Sequence, residues 1–333
     1  MTKYIIAWDL GATKCAAGIL EYNETTHDLV CQKKFSIKLK ETTSLENLIE
    51  KIQIGLETNI TDVDAVCIGA AGQYDGEKII YTNSYPYAMH FAHVAKQQNW
   101  PPFAVIHDYS PIVCATFTSY MDDEKNVKRL NNCVMNPHGR RVTLGVGTGL
   151  GLKDGVLFPN GDFWLGQNEM GHIGISTAYA SKEYQQRHEE LIRFLHTKHP
   201  VSFEAILSGP GITRLYQFFY PEDKNITPEE AGRKMREGKT PELLSAFAWY
   251  LGLFVGTVQL SFMPEGGIWM TGGVALHHMN AFEHPNFMKG IESSPAYLSE
   301  RNQFALGVLC NPEHALIGGG YYATKRLLMS SIT

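Results

Sequence analysis

Residues 4–20 read YIIAWDLGATKCAAGIL, and residues 142–152 read VTLGVGTGLGL. In each stretch an apolar run breaks into a short turn of small residues and then resumes. Lys3 to Trp8 is almost wholly apolar, as a strand buried on both faces must be. Asp9 to Lys14 forms the turn, Cys15 to Glu21 reads as a second strand and Val30 to Ile37 as a third. A strand, a turn and another strand differ from the strand, turn and helix that open a dinucleotide-binding unit. The second stretch restarts the pattern, with a strand over Val142–Val146, a glycine-rich turn over 145–151 and strand again from Leu152. The chain therefore reads as two α/β halves, each opened by a hairpin that carries a glycine-bearing turn.

Outward from these hairpins the first half continues with a helix over Ser44–Asn59. Ser44 is its N-cap, and Leu45, Leu48, Ile49, Ile52 and Leu56 share one face. Ala65–Ala70 and Phe103–Ile106 are further buried strands, His107 and Asp108 follow the latter, and Pro111 opens the next helix. In the second half, Lys182–Lys198 is an amphipathic helix, and Thr227-Pro228-Glu229-Glu230 is a capping box with proline in its first turn. Gly267–Thr271 is a short strand before Gly272 and Gly273, Leu306–Leu309 is the last strand, and a terminal helix runs on from Pro312.

Composition bounds what such a chain can do. At 333 residues it exceeds the length at which one core stops growing, so two domains are expected. A net charge of −5 with no basic stripe points away from nucleic acid. Six cysteines without a CxxC pair, several inside apolar runs, read as reduced thiols of a cytoplasmic protein rather than as disulfides or a zinc site. The opening residues read as a first strand, since Asp9 interrupts their apolar run. Leu243–Met263 carries no charge over 21 residues, the length of a membrane span. The polar Ser245, Thr257, Gln259 and Ser261 within it favour a central helix buried on all sides, so no membrane is expected.

Three short segments suit a nucleotide. In Asp9-Leu10-Gly11-Ala12-Thr13-Lys14, small residues let backbone N–H groups approach an anion, Thr13 adds a hydroxyl and Lys14 a charge. Gly147, Thr148 and Gly149 offer the same in the second turn, and Gly272 with Gly273 leaves room for a flat base or ribose. Neither turn has the spacing of a Walker loop, and either alone is equally a plain hairpin turn. Asp108, just past a strand's C-terminal end, can accept a proton from a substrate hydroxyl, or it can cap the helix at Pro111. Glu169 and His172 in NEMGH, with Glu204, are the side chains to order sugar hydroxyls. Glycines flank the ExxH spacing and no cysteine cluster follows, so no protein metal site is expected.

In this order the strings DLGATK (9–14), TNSYPY (82–87), IHDYS (106–110), GVGTGLG (145–151), EMGH (169–172), FEAILSGPG (203–211), GGIWMTGG (266–273) and NPEHALIGGG (311–320) resemble the bacterial glucokinase family. The resemblance implies a two-domain actin-like ATPase (ribonuclease H-like) hexokinase fold with an interdomain cleft. It implies a small α/β domain of residues 1–110 plus 312–333 and a large one of residues 111–311. It implies an ATP-dependent hexose kinase acting on the 6-hydroxyl of glucose, with Mg²⁺ held mainly by phosphates and water. Asp108 would be the base, Asn83, His107, Asp108, Glu169, His172 and Glu204 the sugar ligands, and Asp9, Gly11–Lys14, Gly147–Gly149 and Gly272–Gly273 the nucleotide contacts. Relatives of this kind are often dimers, which leaves a homodimer open without the sequence deciding the oligomeric state. Three positions depart from the pattern. Ala12 and Lys14 replace a glycine and an asparagine and look more like the related repressor–kinase family, whose cysteine-rich zinc motif is absent. His107 stands where glucokinases carry asparagine, which puts the choice of sugar, among glucose, mannose, fructose and N-acetylmannosamine, ahead of the choice of reaction. A sugar-binding regulator without catalysis is the alternative on the same fold.

Overall fold

The computed structural model describes residues 1–80, 85–177, 180–196 and 201–329. The chain divides into two compact units, one of residues Met1–Asn126 with Asn311–Thr333 and one of Val127–Cys310.

The first unit is built on strands β1 (Thr2–Leu10), β2 (Lys14–Asn23), β3 (Leu29–Lys38), β4 (Ala65–Ala70) and β7 (Phe103–His107), with β5 (Gln73–Tyr74) and β6 (Ile79–Ile80) forming a separate small hairpin. The sheet runs β3-β2-β1-β4-β7. β1 pairs antiparallel with β2 and parallel with β4, and β4 pairs parallel with β7. β1 is buried on both faces because its residues alternate. Ile6, Trp8 and Leu10 face the helix Leu45–Leu56 and the helix Phe91–Gln97, while Ile5 and Ala7 face the helix His314–Ala323. Ser44 caps Leu45–Leu56 by accepting from the Asn47 N–H, and Leu45, Leu48, Ile49, Ile52 and Leu56 are buried as its periodicity requires.

The second unit repeats the plan. Its strands are β8 (Val127–Arg129), β9 (Arg141–Val146), β10 (Leu150–Leu157), β11 (Phe163–Leu165), β12 (Ile268–Thr271) and β13 (Leu306–Leu309), in the order β11-β10-β9-β12-β13-β8. Antiparallel β9–β10–β11 followed by parallel β9–β12–β13 reproduces the pairing of the first sheet, with β8 added antiparallel at the edge. The uncharged segment near 250 is the helix Pro241–Phe262, most of it buried inside this unit. Thr227 caps the helix Pro228–Arg236 through the Glu230 N–H, as the capping box requires.

Several boundaries differ from the sequence expectation. Strand resumes at Leu150 rather than Leu152, because Leu150 and Gly151 still find partners in Val146 and Gly145. The helix expected from Pro111 starts at Tyr109, since proline is tolerated anywhere in a first turn where its missing N–H has no helical partner. The terminal helix starts at His314 instead of Pro312. The described part of the helix expected to reach Lys198 is Lys182–His196. The short strands β5, β6, β8 and β11 carry too few residues to show a period.

Gly318 lets the helix His314–Ala323 lie directly on the helix Tyr109–Ala115. A Cβ there would meet the Pro111 carbonyl and stand 2.7 Å from the Ala115 backbone nitrogen. Neither neighbour is a side chain that can swing away. We expect Gly318→Ala to cost roughly 2 kcal/mol, lowering Tm by about 4–8 °C. A thermal melt that moves by less than about 1 °C would show that the two helices part freely.

Candidate functional site

In the first unit the site residues gather at one end of the sheet. Asp9 pairs with Ala16 on β2 and Gly69 on β4, which places its carboxyl beside the turn that leads into β2. That turn is closed by the Gly11 N–H donating to the Lys14 carbonyl at 3.0 Å, and Thr13 and Lys14 are exposed on it. The ends of β1, β4 and β7 are stitched together beyond their ladders. The Ala71 N–H donates to the Leu10 carbonyl and the Asp108 N–H to the Ala70 carbonyl. Asp108 thus follows β7 on the same side as Asp9, one strand removed.

Asp108 occupies the N-cap position of the helix Tyr109–Ala115, yet its side chain makes no cap hydrogen bond to that helix. Its Oδ1 lies 3.1 Å from Nδ1 of His107, and the same Nδ1 accepts from the Tyr109 N–H at 3.3 Å. Asp9 is affected by this company. Burial, then the nearby Asp108, push its carboxyl up to about 6, with Lys14 opposing.

One contributor in this unit was not assigned from sequence. Tyr85 Oη lies within hydrogen-bond reach of the carbonyls of both Leu10 and Ala71, at 2.9 and 3.0 Å, so it braces the ends of β1 and β4. Burial raises its phenol, as does Asp108. No period or glycine marks such a residue in sequence. Asn83, expected among the sugar ligands, falls outside the described residues.

The second unit brings together the rest. Gly147 donates to the Gly149 carbonyl, closing the turn between β9 and β10, while its own carbonyl accepts from Gly209 at the start of the helix Gly209–Phe219. Ser208 caps that helix through the Gly211 N–H. A Cβ on Gly147 or Gly273 would meet nothing within 4 Å, so open space adjoins both backbones. Gly272, at φ +99°, turns the chain out of β12 directly over Val146 at the end of β9. The second and third glycine segments are therefore neighbours.

Glu204, on the short helix Phe203–Ile206, accepts from the Leu150 N–H at 3.0 Å and so sits against the same turn. His172 stands between two carboxylates, with Nδ1 3.8 Å from Glu204 and Nε2 4.0 Å from Glu169. These distances are longer than direct hydrogen bonds and leave room for a hydroxyl-bearing ligand to bridge. Glu169 and His172 are exposed and Glu204 half-buried. Arg214 donates to the Ala205 carbonyl next to Glu204, and burial lowers its pKa while Glu204 opposes. Sequence reading passed over it because its helix position looked like any exposed arginine.

A profile of the family described as Glucokinase matches residues 6–326. The glucokinase of Agrobacterium fabrum is 25% identical over 330 residues, covering 96% of this chain and 91% of that protein. Among solved structures, a glucokinase from an Antarctic psychrotroph superposes with a TM-score of 0.79 at 19% identity, over 96% of this chain and 98% of that one. The glucokinase of Balamuthia mandrillaris in complex with glucose gives 0.74 at 18% identity, over 96% and 93%. At these identities the structures establish a shared fold, the two-domain actin-like ATPase architecture.

The raised carboxyl of Asp9 has a measurable consequence. A carboxyl whose folded pKa lies near 6, above its unfolded 3.8, favours the folded state fully only while protonated. Its contribution is lost as pH rises from about 4 to about 6. Asp9→Asn, which cannot ionise, should therefore melt near wild type at about pH 3.5 and above it at about pH 7.5, by roughly 1–3 kcal/mol. A difference in Tm that stays constant across this range would mean that Asp9 is not buried against Asp108 as described.

Proposed function

This chain belongs to the glucokinase family, and from that premise we propose that it transfers the terminal phosphoryl group of ATP to the 6-hydroxyl of glucose. The observation that carries the reading is the placement, within one unit, of Asp108 at the end of β7 and the Asp9–Lys14 turn at the end of β1, joined through the end of β4. A proton acceptor beside an anion-binding turn is what phosphoryl transfer to an alcohol requires, since its catalysis is mostly positioning and charge stabilisation. Asp108 takes the proton of the 6-hydroxyl as that oxygen forms its bond to phosphorus, and ADP leaves with the bridging oxygen. In the first unit's turn Thr13 and Lys14 offer donors to phosphate oxygens, and in the second unit's turn Thr148 does, while the Gly11 and Gly147 N–H groups close their own turns. Gly272 and Gly273 lie along the nucleoside.

Mg²⁺ suits this set of residues. Asp9 supplies a hard carboxylate oxygen that burial and a like charge leave short of a positive partner, and Mg²⁺ otherwise prefers phosphates and water. Bound, it would neutralise phosphate charge. Glu169, His172 and Glu204 are the second unit's candidates to hold sugar hydroxyls, and glucose is the sugar in the complex of the Balamuthia mandrillaris glucokinase. The free thiols of all six cysteines fit a cytoplasmic setting.

His107 bears on which sugar is preferred. By accepting from the Tyr109 N–H, its Nδ1 does what an asparagine side-chain oxygen does for the amide two residues on. The same nitrogen lies 3.1 Å from Oδ1 of Asp108, so the ring is held against both the backbone and the proposed base, and it is bulkier than a short amide. A second hexose is favoured over glucose to the extent that this ring crowds the sugar.

Two measurements test the reading. ADP release should be seen with at least one hexose of a panel of glucose, mannose, fructose and N-acetylmannosamine, and Asp108→Asn should lower kcat about 10²–10⁴-fold while sugar still binds. No turnover with any sugar, or more than a tenth of kcat retained, would remove the kinase assignment or the base. His107→Asn should raise kcat/KM for glucose by roughly ten- to a hundredfold if the ring displaces a hydroxyl contact. Unchanged sugar preference and glucose KM would exclude His107 from the sugar site.

A further inference from the structure

β10 is apolar except for Lys153 and Asp154, and both are buried. The Asp154 side chain is only 4% exposed. Burial pushes its carboxyl upward, while Arg140 and Asn168 favour its ionised form. A carboxylate is not kept in such a place without partners. Its Oδ1 accepts from Nδ2 of Asn168 at 3.3 Å, and its Oδ2 lies 3.7 Å from Nε of Arg140. Its backbone carbonyl accepts from the Gly166 N–H at 2.9 Å. Any Cβ at Gly166 would run into this carboxylate, so the chain can cross Asp154 only as glycine.

Asn168 has its other end on the sugar segment. Its side-chain oxygen accepts from the Met170 N–H at 3.4 Å, at the start of the short helical turn Met170–His172. A primary amide can donate at one end and accept at the other, and either end can face either way. Asp154 removes the choice. An ionised carboxylate only accepts, so the NH₂ must face it and the oxygen must face Met170. The same turn is held at its far side where Gly171 lies against the Leu150 carbonyl. Glu169 and His172 are thus carried on a turn fastened to β10 at its first residue, Leu150, and at its interior residue, Asp154.

We propose that Asp154 is the positioning residue of the sugar site: through the orientation of Asn168 it sets the Met170–His172 turn and with it Glu169 and His172. The inference rests on the reading of Glu169 and His172 as sugar ligands. Asp154 touches no substrate and acts only through the amide.

A reciprocal exchange tests it in the full-length protein. Asn168→Asp opposes two carboxylates and should raise the KM for glucose about tenfold or more, with the KM for ATP within about twofold of wild type. Hydrogen exchange at the amides of Met170 to Ile173 should quicken. Adding Asp154→Asn moves the donor to β10 while the carboxylate at 168 still accepts from Met170, so the double variant should recover both KM and protection to within about threefold. Arg140 tolerates the exchange, being 39% exposed and lying over the rings of Trp164 and Phe262. A double variant no better than Asn168→Asp, or an Asn168→Asp protein with normal KM and exchange, overturns the proposal. Glu169→Gln separates the two levels. If it raises glucose KM while Asn168→Asp does not, the sugar ligands stand and the positioning role falls. If it leaves glucose KM unchanged, the ligand reading falls and the sugar role of Asp154 with it.

Discussion

Two carboxyl groups at the ends of the strands flanking β4 set the terms for the first unit. Asp9 and Asp108 end their strands on the same side of one sheet, and burial together with the nearby Asp108 makes Asp9 harder to ionise. Neighbouring features fit this constraint. The turn after β1 is short and exposes Lys14, a compensating charge, and the backbone after β4 is tied to β1 and to Asp108 by hydrogen bonds. Tyr85 braces the same strand ends. A carboxyl held this way is favoured in its ionised form by positive charge close by, which Lys14 supplies in part.

The second unit meets a different demand, that of holding exposed polar groups in register with a backbone turn. β10 serves this demand. Its first residue donates to Glu204 and abuts Gly171, and its interior Asp154 fixes Asn168. One strand therefore fastens the turn that follows β9 and the turn that carries Glu169 and His172. The buried carboxylate costs stability by itself, and its partners recover part of that cost.

Much of this was legible in the sequence for physical reasons. β1 announced itself because a strand covered on both sides needs continuous apolar residues, and the hairpins because two glycine-bearing turns each sit between apolar runs. The helix over 45–56 followed from its N-cap and its period. Among the described residues, Asp9 and Asp108 lie at neighbouring strand ends, and Glu204 lies against the turn after β9 with His172 beside it. What escaped is instructive. Tyr85 works through its hydroxyl on two carbonyls, and nothing local marks an aromatic residue for that task. The helix at Asp108 began earlier than Pro111 because proline restricts only the turn preceding it. Asp154 did carry a signal, a charge inside an apolar strand, but its partners Asn168 and Arg140 lie 14 positions away on either side, where only the folded structure brings them near.

The first unit is discontinuous, residues 1–126 being completed by a segment beyond 310, whereas the second is a single stretch of chain. This matters for synthesis. As the polypeptide leaves the ribosome, the second unit has all its strands available by residue 309. The first must wait, because one face of β1 is covered by Leu316 and Ala323 of the helix His314–Ala323. Until that helix arrives, Ile5, Ala7 and Ala65 remain an uncovered apolar surface. The inserted unit is thus complete in sequence before the host, and the host's apolar face at Ile5, Ala7 and Ala65 is the last part of the chain to find its cover.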